Sequence, residues 1–138
     1  MPQKRNKPVE IIHKLRVAEV EKNPDVAYAH FNLGYAYRES GKYEEAIEPL
    51  RQAIWIKPDF ALAHYVLGAA YGRSGKHEEA IGSYKQALRI NPDYRDAHYN
   101  LGITYLQMND RDSALKQYEI LKELNTRVAN ALFDLINK

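Results

Sequence analysis

Residues 27–60 align without a gap on residues 61–94, an offset of 34 (61 − 27 = 34). Ala-Tyr-Ala-His-Phe-Asn-Leu-Gly-Tyr-Ala-Tyr, from Ala27, stands over Ala-Leu-Ala-His-Tyr-Val-Leu-Gly-Ala-Ala-Tyr, from Ala61. Ser-Gly-Lys-Tyr-Glu-Glu-Ala-Ile, from Ser40, stands over Ser-Gly-Lys-His-Glu-Glu-Ala-Ile, from Ser74. A third copy over residues 95–128 opens Arg-Asp-Ala-His-Tyr-Asn-Leu-Gly-Ile-Thr-Tyr and fades toward its end. A period of this length restricts the chain to a stack of small supersecondary units. Each is too small to bury its own apolar face and is completed by its neighbour.

Inside a unit the period is helical. Ala29, Leu33, Ala36 and Tyr37 fall at i, i+4, i+7 and i+8, and Ala46, Leu50, Ala53 and Ile54 repeat that spacing downstream. Between the two stretches stand Ser40-Gly41-Lys42, Ser74-Gly75-Lys76 and Met108-Asn109-Asp110. Gly and Asn accept the left-handed conformation that ends a helix. The second helix is expected to stop at Pro58 and Pro92, which lack the N–H needed to continue it. Gly34, Gly68 and Gly102 recur in the first helix although glycine costs roughly 1 kcal/mol there relative to alanine. The recurrence predicts a close helix approach, with Ala46, Ala80 and Ala114 opposite.

The pattern His30-x2-Leu33-Gly34-x2-Tyr37, Ala46-x3-Leu50, Pro58 resembles the tetratricopeptide repeat signature, with His in place of the usual Trp. The second unit supplies His64, Leu67, Gly68, Tyr71, Ala80, Tyr84 and Pro92. The third supplies His98, Leu101, Gly102, Tyr105, Ala114 and Tyr118, but has Leu121 in the slot of Ala53 and Ala87, and Thr126 where proline is expected. The resemblance implies an all-α right-handed superhelical solenoid of antiparallel helix pairs. It divides the chain into a disordered basic N-terminus (1–8), a helix left from a decayed unit (9–26), units 27–60, 61–94 and 95–128, and a capping helix over 128–138. In the first of these helices Ile11, Leu15 and Ala18 share a face, and Asn23-Pro24-Asp25 echoes Asn91-Pro92-Asp93. In the last, Val128, Leu132 and Leu135 are expected to cover the third unit.

Composition narrows function by exclusion. Twenty Lys and Arg against eighteen Asp and Glu leave a charge of +2, far from the basic excess of a nucleic-acid binder. Without cysteine the chain has no disulfide, thiolate nucleophile or Cys-ligated metal. No apolar run suits a signal core or a membrane span, so a cytoplasmic setting is expected. Phosphate-loop, His-Glu-x-x-His and nucleophile-elbow patterns are missing, and Glu44-Glu45 and Glu78-Glu79 suit the first turn of a helix. His30, His64 and His98 invite a metal reading. Stacked equivalent positions lie about 8–10 Å apart, too far for ligands that each sit roughly 2 Å from one zinc ion. The expectation is a chain that is no enzyme and carries no cofactor or metal.

The resemblance implies that the first helix of each unit lines a concave groove for a protein or peptide partner. It assigns Tyr28, Phe31, Asn32, Tyr35, Arg38 and Glu39 of the first unit to that surface. Leu62, Tyr65, Val66, Ala69 and Arg73 follow from the second, and Asp96, Tyr99, Asn100, Ile103 and Gln107 from the third. Aromatic and Arg side chains are the composition of a binding surface. Phe31, Tyr65 and Tyr99 can equally pack between units, while Arg38 and Arg73 could straddle an acidic segment. One family subtype grips the acidic C-terminal tails of heat-shock chaperones with Lys, Asn and Arg at set places. Those places here carry Phe31, Tyr35, Val66, Asp96 and Asn100, so such tails are not expected as partners. The rival reading is a self-assembling module joined through the terminal helices or Trp55, and a third is a regulatory domain of a larger assembly. Trp55 stands where the other units have Arg89 and Glu123. Pro49, inside the second helix of unit one, removes a backbone hydrogen bond there.

Overall fold

The computed structural model describes residues 8–10 and 23–138. Of the basic stretch 1–8 and the helix expected over 9–26, residues 1–7 and 11–22 fall outside the described residues; 8–10 are helical, and Pro24, Asp25 and Val26 open the helix of the first unit instead of ending the one before it. From residue 23 the chain forms α1 (Pro24–Glu39), α2 (Tyr43–Ile56), α3 (Ala61–Arg73), α4 (His77–Ile90), α5 (Arg95–Gln107), α6 (Arg111–Leu124) and α7 (Thr126–Ile136). None of the described helices is long and apolar enough to cross a membrane.

Local chemistry sets the helix limits. The Asn23 side-chain oxygen accepts from the Asp25 backbone N–H at 3.0 Å, and Pro24 takes the first helical position, where its missing N–H is no loss. The turn inside each unit is a Schellman motif. Gly41, Gly75 and Asn109 take φ values of 76°, 79° and 61°. The next residues, Lys42, Lys76 and Asp110, donate their N–H to the carbonyls of Tyr37, Tyr71 and Tyr105 at 2.9, 2.8 and 2.8 Å. The α2 and α4 helices end at Ile56 and Ile90, two residues before Pro58 and Pro92.

The repeated histidines staple one unit to the next. Nε2–H of His64 donates to the Pro58 carbonyl at 2.9 Å, and Nε2–H of His98 donates to the Pro92 carbonyl at 2.7 Å. Each buried ring therefore satisfies a carbonyl in the proline turn six residues before it, a backbone group otherwise left without a helical partner. Nδ1 of His98 also lies 2.8 Å from the Gln117 side-chain amide. Among the described residues no three of His, Asp or Glu gather as a metal site would need.

Successive helices pack on one another, and α1, α3, α5 and α7 also touch in turn, while α2, α4 and α6 form no comparable row. The stack is thus a helical solenoid with the first helices along its inner side. Its core runs as three apolar clusters, one around Leu50 and Val66, one around Tyr84 and Leu101, and one around Leu121 and Leu132.

The repeated glycines do mark close approaches, and Ala46 does face Gly34, its carbonyl oxygen 3.2 Å from an added Cβ, but the nearest group at each glycine is a larger side chain than expected. A Cβ on Gly34 would sit 2.6 Å from Leu50 Cγ, and one on Gly68 would sit 2.7 Å from Tyr84 Cε1. The filling group is the side chain one turn beyond Ala46 and Ala80, laid across the glycine. At Gly102 it is Leu132 of α7, at 2.7 Å. The terminal helix therefore enters the core of the third unit.

The α7 helix departs from the sequence reading in two respects. It starts at Thr126, not at residue 128, because Asn125 both ends α6 and caps α7, its side chain accepting from the Val128 N–H at 3.0 Å. Its fully buried stripe is Ala129, Leu132 and Ile136, with Val128 and Leu135 only half-buried at the margins. Pro49 does not interrupt α2, which runs on to Ile56.

Candidate functional site

Between the C-terminal halves of α1, α3 and α5 lies an open depression of about 480 Å³. Its lining includes Arg38, Tyr43, Arg73, Tyr84, Asn100 and Gln107. Arg38 stands in the last turn of α1 and pairs with neighbouring Glu39 at 3.3 Å. Arg73 ends α3 with its guanidinium 5.2 Å above the Tyr43 ring, a cation–π contact. Both arginines also complement the negative ends of their helix dipoles.

The small residues Ala69 and Gly72 on α3 leave room for the depression, and Ile103 and Thr104 of α5 close its far side. Asn100 is partly committed: its Nδ2 donates to the Tyr65 hydroxyl at 2.7 Å, and its carbonyl accepts from Thr104 Oγ1 at 2.8 Å. Tyr65 stacks between Tyr84 and Tyr94 at centroid distances of 5.9 and 5.0 Å. Burial pushes the Tyr84 phenol well above its ordinary range and, together with Tyr65, pushes Tyr94 to about 12, while burial and then Asp96 raise Tyr65. All three therefore remain neutral hydroxyls across the physiological range.

Arg38, Arg73, Asn100 and Ile103 of the sequence assignment meet in this depression, as do Glu39, Ala69 and Gln107. Tyr28, Asn32, Tyr35 and Leu62 are exposed outside it. Phe31 is only 8% exposed, its ring 4.9 Å from that of Phe60, so it serves the joint between units. Val66 is buried in the first cluster and offers the groove no surface, while Tyr99 is half-buried against the third. Tyr84 was not anticipated because it belongs to a second helix. The signal was its place sixteen residues after Gly68 (84 − 68 = 16), the glycine over which its ring lies.

The opposite side carries a second depression of about 560 Å³, lined by Arg51, Ile54, Trp55, His64, Tyr71 and Gln86 among others. Trp55 is 51% exposed there.

The TPR repeat family model matches residues 34–75 and 73–109, and tetratricopeptide repeat models match residues 19–48 and 96–125. No curated protein matches the chain. Several solved structures do. The second TPR domain of Spaghetti (RPAP3) bound to the HSP90 peptide SRMEEVD is 26% identical, with a TM-score of 0.72 and coverage of 78% of this chain and 99% of that one. The second TPR domain of human RPAP3 in complex with the HSP70 peptide SGPTIEEVD is 25% identical, with a TM-score of 0.79 and coverage of 84% and 99%. The Sgt2 TPR domain from Aspergillus fumigatus is 25% identical, with a TM-score of 0.74 and coverage of 80% and 76%. With its helix pairs, its registered glycines and family models matching more than half its length, this chain belongs to the tetratricopeptide repeat family.

Proposed function

We propose that the chain is a non-catalytic scaffold that holds an extended segment of a partner protein along its inner row of helices. The units 27–60, 61–94 and 95–128 act as one body closed by α7. The observation that carries this reading is the exposure of Tyr28, Tyr35 and Leu62 on α1 and α3, the helices whose C-terminal halves border an open depression with two arginines. A solenoid needs no large apolar side chains there, whereas a bound segment gains contact area from rigid aromatics at low entropic cost. Two similar structures hold chaperone peptides, which supports a peptide segment as the ligand.

The ligand here differs from those tails. Of the five tail-gripping places, Phe31 and Val66 are buried, Asp96 is acidic, Asn100 is tied to Tyr65, and Tyr35 carries no charge. The test is titration of peptides selected on the wild-type chain, with SRMEEVD as comparison. Replacing both Tyr35 and Leu62 with Ala should weaken the selected peptides by about 10- to 100-fold and leave helicity unchanged. SRMEEVD should bind more weakly than about 100 μM. Equal affinities for double variant and wild type would remove the groove from the function, and tight SRMEEVD binding would restore chaperone tails as partners.

Self-association is the second reading, favoured by the half-exposed Trp55 beside Ile54 on the opposite side. Light scattering separates the two: a mass that stays monomeric at all concentrations supports the groove, and a salt-resistant oligomer supports assembly.

A further inference from the structure

We propose that Arg38, Arg73 and the Tyr84 hydroxyl form a subsite for the carboxylate of an acidic side chain on the bound segment, an inference that rests on the groove reading. Tyr84 is the unusual member. It belongs to α4, behind the inner row, yet it lines the inner depression. The reason is Gly68. With no side chain on α3 at that point, the Tyr84 ring lies across the helix backbone, its Cε1 where a Gly68 Cβ would be 2.7 Å away. The counterpart in unit one, Leu50, fills the same gap above Gly34 with a purely apolar group.

The residue as a whole is only 3% exposed, and no hydrogen bond partners its hydroxyl among the described residues. The hydroxyl oxygen is not sealed in the core, as the unpartnered Ser74 Oγ and His77 Nδ1 are, so it reaches the depression and is open to bond a group placed there. Its surroundings say what that is. Arg73 has no carboxylate partner among the described residues, its fork resting on Tyr43. Arg38 shares one contact with Glu39 and keeps donors free. Gln107 adds an amide. The open hydrogen-bonding capacity of the depression is therefore mainly donor, with a lining charge of two arginines against one glutamate, a net +1 (2 − 1 = 1).

That balance fits a monoanionic carboxylate, which takes a guanidinium fork and a phenol O–H in short charge-assisted bonds. A phosphate dianion fits less well, because its second charge exceeds the net +1 of the lining and doubles the repulsion from Glu39. The walls of Ala69 and Ile103 are apolar and suit the stem of a Glu or Asp side chain.

The test uses the full chain and peptides selected on it from a random displayed library, titrated by calorimetry. Selected peptides should share an acidic residue, and changing it to the amide should weaken binding about tenfold or more. Tyr84→Phe and Arg73→Gln should each weaken the acidic peptide about tenfold and leave the amide peptide within about twofold, the coupling a direct contact produces. Tyr84→Phe removes one oxygen from the core ring, and Arg73→Gln touches no core residue, so the second variant decides the matter if the first melts early. Should both variants treat acid and amide peptides alike while the Tyr35 and Leu62 variant still weakens both, the subsite is wrong and the groove stands. Should that variant also have no effect, or the selection return no peptide, both fall. A phosphoserine peptide binding tenfold more tightly than its glutamate counterpart would overturn the carboxylate assignment.

Discussion

Gly68→Leu should lower the stability of the chain by about 3 kcal/mol and its melting temperature by about 10 °C. A Cβ alone would sit 2.7 and 2.8 Å from Cε1 and Cδ1 of Tyr84, so the larger side chain has to displace that ring. The ring is buried and stacked on Tyr65, and it leaves only by opening the core of the second unit. The gain in helix propensity, about 1 kcal/mol for replacing glycine, is too small to offset this. Gly82→Ala supplies the matched control: its Cβ meets nothing within 4 Å, and the change should raise stability by about 0.5–1 kcal/mol. Thermal melts of the two variants read the result. A Gly68→Leu melt equal to wild type would mean that the glycine is not holding space for Tyr84.

Removing residues 126–138 should cost about 5 kcal/mol or turn the chain to aggregation. The cut takes away Leu132 and Ile136 and uncovers Leu121, and burial of each such side chain contributes about 1.5–3 kcal/mol. It also empties the space beside Gly102 that Leu132 fills. Because a truncated chain can be lost before it is measured, Leu132→Ala gives a milder form of the same experiment. The expected loss is about 2–5 kcal/mol, read from denaturant unfolding. A truncated chain that stays monomeric and melts with wild type would show that α7 covers nothing of importance.

The solenoid was legible because its determinants repeat in register: three glycine slots, three left-handed turns and two prolines each report the same local requirement. The use of His64 and His98, a bond to the carbonyl of a proline six residues earlier, was not legible, because it needs the turn in three dimensions. The face of α7 was misread by one position. Val128, Leu132 and Leu135 keep helical spacing as well as Ala129, Leu132 and Ile136 do, and only the placement of α6 and Gly102 selects the second stripe. The depression was half legible. Arg38 and Arg73 stand on first helices and stay free of the core, so position along the repeat placed them together. Tyr84 escaped because a family-wide division into inner first helices and outer second helices has no room for a side chain that passes over a glycine to the other face.

That division nevertheless makes the central claim directly measurable. Amide chemical shifts of the chain, followed by NMR during titration with a selected peptide, should move along the inner row: around Tyr28–Glu39 on α1, Leu62–Arg73 on α3 and Tyr99–Gln107 on α5. The Trp55 indole signal, on the opposite side, should stay where it is in the free protein. Shifts gathered on α2 and α4 around Trp55, with the inner row unmoved, would contradict the account.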